Sequence, residues 1–167
     1  MKHIWSSAVV AVAMLASGAR AESSLGIGPR VFRKVDNVPR QYTEMGAGAF
    51  VNWRTYWTDL VSGQVELALY EDGFAGSPKE VIAPQAFVLL GREFYAGFGA
   101  GILFSDGDLA DKPFLALRVG YQWPWGEALT VDLNATYEYG EWDGVSKFLP
   151  KEESDTLSIG LGLRLNF

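Results

Sequence analysis

The last thirteen residues, Asp155 to Phe167, read Asp-Thr-Leu-Ser-Ile-Gly-Leu-Gly-Leu-Arg-Leu-Asn-Phe. From Leu157 onward every second residue is leucine, isoleucine or phenylalanine, and the residues between them are small or polar. An extended chain points successive side chains to opposite faces, so this segment has one apolar face and one polar or small face. Transmembrane strands need about 9–11 residues with this alternation, apolar toward lipid and polar toward the barrel interior. The segment is therefore predicted to be the closing strand of an outer-membrane β-barrel.

An edge strand of a soluble sandwich is the alternative setting for this segment. Its apolar residues would then form an uninterrupted row facing water. Such a row is an aggregation hazard, which soluble proteins avoid at sheet edges. The membrane interpretation is therefore favoured.

Residues 1–21 have the organisation of a secretory signal peptide. Lys2 precedes an apolar run from Ala8 to Ala16, and Ala19-Arg20-Ala21 forms an Ala-x-Ala cleavage site. The run is shorter than the roughly 20 apolar residues that a spanning helix needs. We therefore expect export, cleavage after Ala21 and a single barrel domain over residues 22–167.

The composition of residues 22–167 excludes several functions. They contain 12 basic and 20 acidic residues, a net charge of −8, which argues against nucleic acid as a partner. The chain has no cysteine, and its one histidine, His3, lies in the predicted signal peptide. Neither a serine nor a cysteine nucleophile can therefore be paired with histidine. We predict no enzymatic activity, no catalytic residue, no cofactor and no metal ion.

Seven further segments alternate in the same way and are predicted to be strands. They cover residues 25–33, 45–54, 64–70, 81–90, 94–104, 115–123 and 129–139. Long and short connections alternate between the eight strands, as outer loops and periplasmic turns do in outer-membrane barrels. The prediction is an all-β fold, an eight-stranded antiparallel up-and-down transmembrane β-barrel. The turn after the second strand, from Tyr56 to Gly63, is longer than this pattern expects.

The fourth and fifth strands have complementary inward faces. Large residues, Phe87 and Leu89 among them, alternate along the fourth strand, and glycines alternate along the fifth. We expect the large residues to oppose the glycines across this hairpin inside the barrel.

Charged residues on the inward faces predict a packed interior. Arg54, Glu66, Arg118, Asp132 and Arg164 form the predicted lumen salt-bridge cluster, with Arg54 opposite or diagonal to Glu66. Asp132 is expected between Arg118 and Arg164. Side chains fill an eight-stranded barrel, so these charges would be desolvated and must pair.

The interior charges also have a functional interpretation. They could form a narrow ion path, or Asp132 and Glu138 could act as a catalytic carboxylate pair. Arginines on neighbouring strands would neutralise these carboxylates, which makes the functional interpretation less attractive.

Aromatic residues are expected to form two girdles at the membrane interfaces, as is usual in such barrels. The periplasmic girdle comprises Trp53, Trp57, Phe94, Trp123, Trp125 and Phe167, and the outer one Tyr70, Phe104, Phe114, Tyr139 and Trp142. A stacking platform for a ligand is the alternative.

An acidic loop contains Asp106, Asp108 and Asp111 and could collect a hard cation such as calcium. Its spacing does not match the calcium loop of an EF-hand, so a solvated loop is favoured.

The closing strand, the signal peptide and the eight-strand count together resemble the small outer-membrane barrels of the OmpX/Ail, opacity protein and OmpA membrane-domain type. The resemblance implies location in the cell outer membrane and insertion by the barrel-assembly machinery. It assigns recognition by that machinery to Leu161, Leu163, Leu165 and Phe167. Barrels of similar size that act on lipid A or on peptides rely on histidine, so their activity is not expected here.

We therefore expect a monomer with a structural or surface-interaction role, in adhesion or envelope integrity. Its partners would be outer-membrane lipid, lipopolysaccharide and an extracellular ligand bound by four long loops. An enzyme that modifies envelope lipids is one alternative. A soluble lipocalin-like barrel that carries a small apolar ligand is another, and it would leave the periplasm without detergent.

Overall fold

A computed structural model describes residues 22–35, 45–72, 74, 79–105, 108–109, 113–139, 141–142, 152–153 and 155–167. For residues 108–109, 141–142 and 152–153 it describes the backbone alone. The predicted signal peptide lies outside the described residues. Within these ranges the chain has no helix of sufficient length and apolarity to cross a membrane.

Eight long strands in the described part of the chain form one antiparallel sheet. They are β1 (Ser23–Lys34), β2 (Met45–Tyr56), β3 (Val61–Tyr70), β4 (Val81–Gly91), β5 (Phe94–Gly101), β6 (Phe114–Pro124), β7 (Leu129–Tyr139) and β8 (Thr156–Asn166). Each strand pairs with the next along the chain, and β8 pairs with β1, which closes the sheet into a barrel. The predicted eight-stranded up-and-down barrel is confirmed.

Strict alternation of side chains places one face of each strand inside the barrel. In β8 the apolar residues from Leu157 to Leu165 are 39–50% exposed, whereas Thr156, Ser158 and Arg164 are each 1% exposed. The same alternation runs along β1 to β7. The exterior is therefore apolar and the interior is polar, the reverse of a soluble protein.

The connections divide the barrel into two ends. Three short turns, residues 57–60, 92–93 and 125–128, lie at one end together with residues 22 and 167. The strand ends that the four long connections join lie at the other end. The prediction of a long turn from Tyr56 to Gly63 is wrong. β2 continues to Tyr56 and β3 begins at Val61, so the turn covers only residues 57–60. The hydroxyl of Thr58 accepts bonds from the backbone nitrogens of Leu60 and Val61, which stabilises the tight turn.

Short two-residue strands lie at the long-loop end, where one pair of them extends the barrel sheet and the other pair forms a separate two-stranded sheet. Phe104–Ser105 pairs with the start of β4 and with Asp108–Leu109, and Glu141–Trp142 pairs with Glu152–Glu153. The predicted fifth strand is thus interrupted at Ile102 and Leu103, although its register against β4 is kept.

The expected fit between large residues and glycines on β4 and β5 is confirmed. Phe87 is the register partner of Gly99, and Leu89 is the partner of Gly97. A Cβ atom added at Gly99 would lie 2.5 Å from Cδ1 of Phe87. Glycine at this position therefore makes room for the phenylalanine ring inside the barrel.

Candidate functional site

The interior of the barrel holds three groups of side chains, stacked from the short-turn end to the long-loop end. The lower cluster is centred on Arg54, Asp132 and Arg164. The central cluster consists of Arg30, Glu66 and Arg118. The aromatic cap consists of Phe32, Tyr70 and Phe74. All nine side chains are buried.

Glu66 is the centre of the central cluster. Its Oε1 accepts bonds from Arg30 Nη2 at 2.6 Å and Arg118 Nη2 at 2.8 Å, and its Oε2 accepts one from Arg118 Nη1 at 2.7 Å. The amide nitrogens of Asn52 and Gln64 donate to Oε2 at 3.1 and 3.0 Å. A buried carboxylate with five donors, three of them charged, is fully satisfied.

Asp132 is the acceptor of the lower cluster. Its Oδ1 accepts a bond from the Tyr95 hydroxyl at 2.7 Å. Its Oδ2 accepts longer bonds, from Arg54 Nη2 and Gln122 Nε2 at 3.2 Å each and from Arg164 Nη1 at 3.5 Å. Oδ2 of Asp132 therefore accepts bonds from two arginines, and both bonds are long for a hydrogen bond.

The structure brings together some of the expected neighbours and not others. Arg54 is the register partner of Gln64 and lies diagonal to Glu66, but its ion pair is with Asp132. The expected contact between Arg118 and Asp132 is wrong, because Arg118 lies opposite Thr136 and binds Glu66. Arg164 does reach Asp132. Arginine side chains are long and the lumen is narrow, so they bind carboxylates on distant strands as readily as on adjacent ones.

Charged residues outside the predicted cluster, Arg30 and Glu138 among them, also belong to the interior. Arg30 binds Glu66 from β1, and its position on the inward face of the predicted first strand was the available signal. Glu138 accepts bonds from the Tyr70 hydroxyl at 3.0 Å and Gln85 Nε2 at 3.3 Å.

Asp132 and Glu138 do not form a catalytic pair. They are six residues apart on β7, which separates them by about 20 Å at roughly 3.4 Å per residue. Asp132 belongs to the lower cluster, and Glu138 lies near the aromatic cap. Two carboxylates that act on one bond must lie much closer together, within about 10 Å.

The aromatic cap fills the lumen toward the long-loop end. The ring of Phe74 stacks on Tyr70 with a centroid distance of 3.8 Å and meets the edge of Phe32 at 4.8 Å. The expectation that Tyr70 and Phe114 belong to the outer girdle is wrong, since both are buried, 2% and 3% exposed. Tyr70 lies on the same inward face of its strand as Glu66, and Phe114 on the same inward face as Arg118. The face of the strand therefore decides whether these rings are buried, and their height along the barrel does not.

The remaining girdle residues lie on the exterior. At the short-turn end six aromatic side chains are 38–67% exposed: Trp53, Trp57, Phe94, Trp123, Trp125 and Phe167. At the other end Phe104 and Tyr139 are 39% and 45% exposed. The side chain of Trp142 lies outside the described part.

The residues assigned to assembly lie on the outer face of β8. Leu161, Leu163, Leu165 and Phe167 are 47–61% exposed. The backbone of Phe167 exchanges two hydrogen bonds with Ser23, at 3.0 and 2.9 Å, and its ring meets Trp53 edge to face. Their recognition by the assembly machinery stays a prediction.

In the acidic loop, Asp106 and Asp111 lie outside the described residues, and Asp108 is described by its backbone alone. Among the residues that are described, no group of three or more histidine, cysteine, aspartate or glutamate side chains gathers as metal ligands would.

Solved outer-membrane barrels share this architecture. OprG from Pseudomonas aeruginosa is 13% identical over 88% of this chain and 96% of its own, with a TM-score of 0.57. Ail, the attachment invasion locus protein of Yersinia pestis, is 21% identical over 89% and 100%, with a TM-score of 0.54. Neisserial surface protein A is 12% identical over 88% and 96%, with a TM-score of 0.56. No protein-family model and no curated protein matches the chain.

These similarities establish the fold and no more, because the identities are low. The chain has the eight-stranded barrel fold of small outer-membrane proteins, as the sequence predicts. Its apolar exterior and polar interior are those of a barrel that spans a membrane.

Proposed function

We propose that this protein is a non-enzymatic barrel of the outer membrane that holds four long loops at the cell surface for contact with an external partner. The observation that carries the proposal is the filled interior. The two ion-pair clusters and the aromatic cap occupy the lumen from the short-turn end to the long-loop end. A barrel filled in this way is a rigid scaffold, and loops carried on a rigid scaffold are the usual place for contact with a partner.

The distribution of charge supports a role for the loops. Residues 35–44, 71–80, 102–113 and 140–155 together contain 13 acidic and five basic residues. The rest of residues 22–167 contains seven of each. The entire net charge of −8 therefore belongs to the long loops. Complementary charge steers association, so the partner that fits this surface is basic.

Location and assembly complete the proposal. The signal peptide, residues 1–21, would direct export, and the assembly machinery would read the outward residues of β8 that end in Phe167. The apolar belt would contact the acyl chains of outer-membrane lipid and lipopolysaccharide. Each chain would act as a monomer, since closure of the sheet between β1 and β8 leaves no unpaired strand edge.

Membrane insertion can be tested by gel migration after mild detergent extraction. A closed barrel resists unfolding in detergent, so unboiled protein should migrate differently from boiled protein. The membrane fraction should retain it after a carbonate wash. Identical migration of the two samples, together with release by carbonate, contradicts insertion.

Loop contact can be tested on protein in nanodiscs of zwitterionic lipid, with immobilised polylysine as the cationic probe and heparin as the anionic probe. The loop variant carries Glu71→Gln, Asp72→Asn and Glu80→Gln. The matched turn variant removes the same number of exposed carboxylates from the short turns, with Asp59→Asn, Glu93→Gln and Glu127→Gln. Wild type should be retained on polylysine and not on heparin. The loop variant should lose more retention than the turn variant, and equal losses contradict a role for the loops.

The two alternative functions are less well supported. An enzyme acting on envelope lipids would need reactive groups near the lipid, and the buried carboxylates instead contact arginine, tyrosine and amide side chains. A lipocalin-like carrier would need an apolar cavity, whereas the central interior of this barrel is occupied by Arg30, Glu66 and Arg118.

A further inference from the structure

We propose that the lower cluster binds a small monovalent anion of about the size of chloride, which enters from the short-turn end and balances the charge of Arg164. This site does not depend on the proposed role of the loops.

The lower cluster has an excess of positive charge. Arg54 and Arg164 are both 1% exposed, and Asp132 is the carboxylate that they share. The next carboxylate along the lumen, Glu66, is already bound by Arg30 and Arg118. Moving a charge out of water without compensation costs several kcal/mol, so a buried arginine of this kind requires a counter-charge.

Of the four buried arginines in the described interior, Arg164 has the poorest set of protein acceptors. Its one short bond is from Nη1 to Asn52 Oδ1 at 2.8 Å. Its other bonds, to Asp132 Oδ2 and Gln64 Oε1, are both 3.5 Å long. Its Nε atom is buried and, like that of Arg30, has no acceptor among the residues that the structure describes. By contrast, Arg118 uses Nε and both Nη atoms in bonds of 2.7–2.8 Å.

The two acceptors that Arg164 shares are also held by stronger donors. Gln64 Oε1 accepts a 2.8 Å bond from Arg54 Nε, and the nitrogen of the same amide is committed to Glu66. Asp132 is bound by Tyr95 at 2.7 Å. Neither acceptor can turn toward Arg164 without breaking one of these bonds. An anion beside Nε would satisfy this guanidinium without disturbing the network.

Polar side chains line the lumen between Arg164 and the short-turn end. Thr130 is the register partner of Arg164, and Asn166 donates to the Thr130 hydroxyl at 2.8 Å. Ser24 lies opposite Asn166 on β1. Tyr56 crosses part of this mouth to reach Gln122. The opposite end is filled by the aromatic cap, so an ion would enter and leave through one mouth and would not be conducted.

The site can be tested by urea unfolding of the barrel in zwitterionic lipid vesicles, in sodium chloride and in sodium gluconate of equal ionic strength. Gluconate is the control because it is too large for a site of this kind. We expect chloride alone to raise the unfolding midpoint. Above its dissociation constant, each tenfold increase in chloride should multiply the folded-to-unfolded ratio by about ten. Equal midpoints in the two salts at every concentration overturn the proposal and leave water as the partner of Arg164.

Three variants connect the effect to the site. Arg164→Gln should unfold at the same midpoint in both salts, whereas Arg92→Gln, which removes a half-exposed arginine at the same end, should keep the chloride effect. Thr130→Glu places a carboxylate opposite Arg164. It should raise the midpoint in gluconate and abolish the chloride effect, and it gives a result even if Arg164→Gln does not fold. Persistence of the full chloride effect in Thr130→Glu contradicts the site.

Bromide offers a readout that is independent of stability. Crystals grown in sodium bromide should show an anomalous peak within hydrogen-bond distance of Arg164 Nε, and crystals of Thr130→Glu should lack it. A bromide peak at this position in both proteins, or in neither, overturns the proposal.

Discussion

Arg118 and Glu66 reach each other across the lumen from strands that are not neighbours, β6 and β3, through two parallel bonds of 2.7 and 2.8 Å. Both side chains have no exposed area. The guanidinium of Arg118 also lies over the ring of Phe87, 3.9 Å from its centroid. This bidentate ion pair therefore connects two non-adjacent strands across the lumen.

The first prediction concerns this ion pair. Glu66→Gln leaves two buried arginines without their carboxylate and should reduce the free energy of unfolding by about 3–5 kcal/mol. Glu93→Gln, in the exposed turn after β4, should change it within about 0.5 kcal/mol. Urea unfolding in lipid vesicles measures both. If the two variants unfold at the same midpoint, the central cluster does not stabilise the barrel.

The second prediction separates a packed core from an ion path at Asp132. Asp132→Asn should cost about 3–5 kcal/mol of unfolding free energy, because Arg54 and Arg164 lose their shared carboxylate. Its conductance in a planar bilayer should equal that of wild type. The control is Asp59→Asn, whose side chain is 98% exposed. A changed conductance with an unchanged unfolding midpoint would support the ion path instead.

The third prediction concerns the fit between β4 and β5. Gly99→Val places methyl groups where the ring of Phe87 lies and should destabilise the barrel by about 1–3 kcal/mol through overpacking. Ala100→Val adds similar volume on the exposed outer face and should have little effect. Unfolding midpoints of the two variants test this, and a larger loss for Ala100→Val would refute the expected packing.

The fourth prediction concerns orientation in the membrane. The chain has no cysteine, so single cysteines can be placed without background. Asp72→Cys, at the long-loop end, should react with a membrane-impermeant maleimide on intact cells. Glu127→Cys, in a short turn, should react only after the outer membrane is permeabilised. Labelling of Glu127→Cys on intact cells would mean that the barrel is inserted the other way.

The fifth prediction concerns the terminal aromatic residue. Phe167→Ala should lower the yield of assembled barrel in the outer membrane while leaving the unfolding midpoint of the purified barrel nearly unchanged, since Phe167 is 61% exposed. Phe98→Ala is the matched control, because Phe98 is 62% exposed on the same outer belt but lies within β5. Normal yield from Phe167→Ala would remove Phe167 from the assembly signal.

The sequence alone determined the number of strands, their order and the face on which most side chains lie. A strand alternates faces with a period of two, and this period belongs to the local backbone whatever the strand pairs with. Leu157 and Arg164 could therefore be assigned to lipid and lumen before any contact was known. The same period, applied strictly, would also have placed Tyr70, Phe114 and Arg30 inside the barrel.

The tertiary structure decided which interior charges meet. Register restricts backbone neighbours, yet Arg118 donates from Nε to its register neighbour Thr136 and from both Nη atoms to Glu66 on a strand that is not adjacent. Closure of the sheet between β1 and β8 brings Arg30 to the same carboxylate and makes Arg164 share Asp132 with Arg54. These contacts depend on the width of the closed lumen and on the reach of arginine, and no local pattern in the chain encodes either distance.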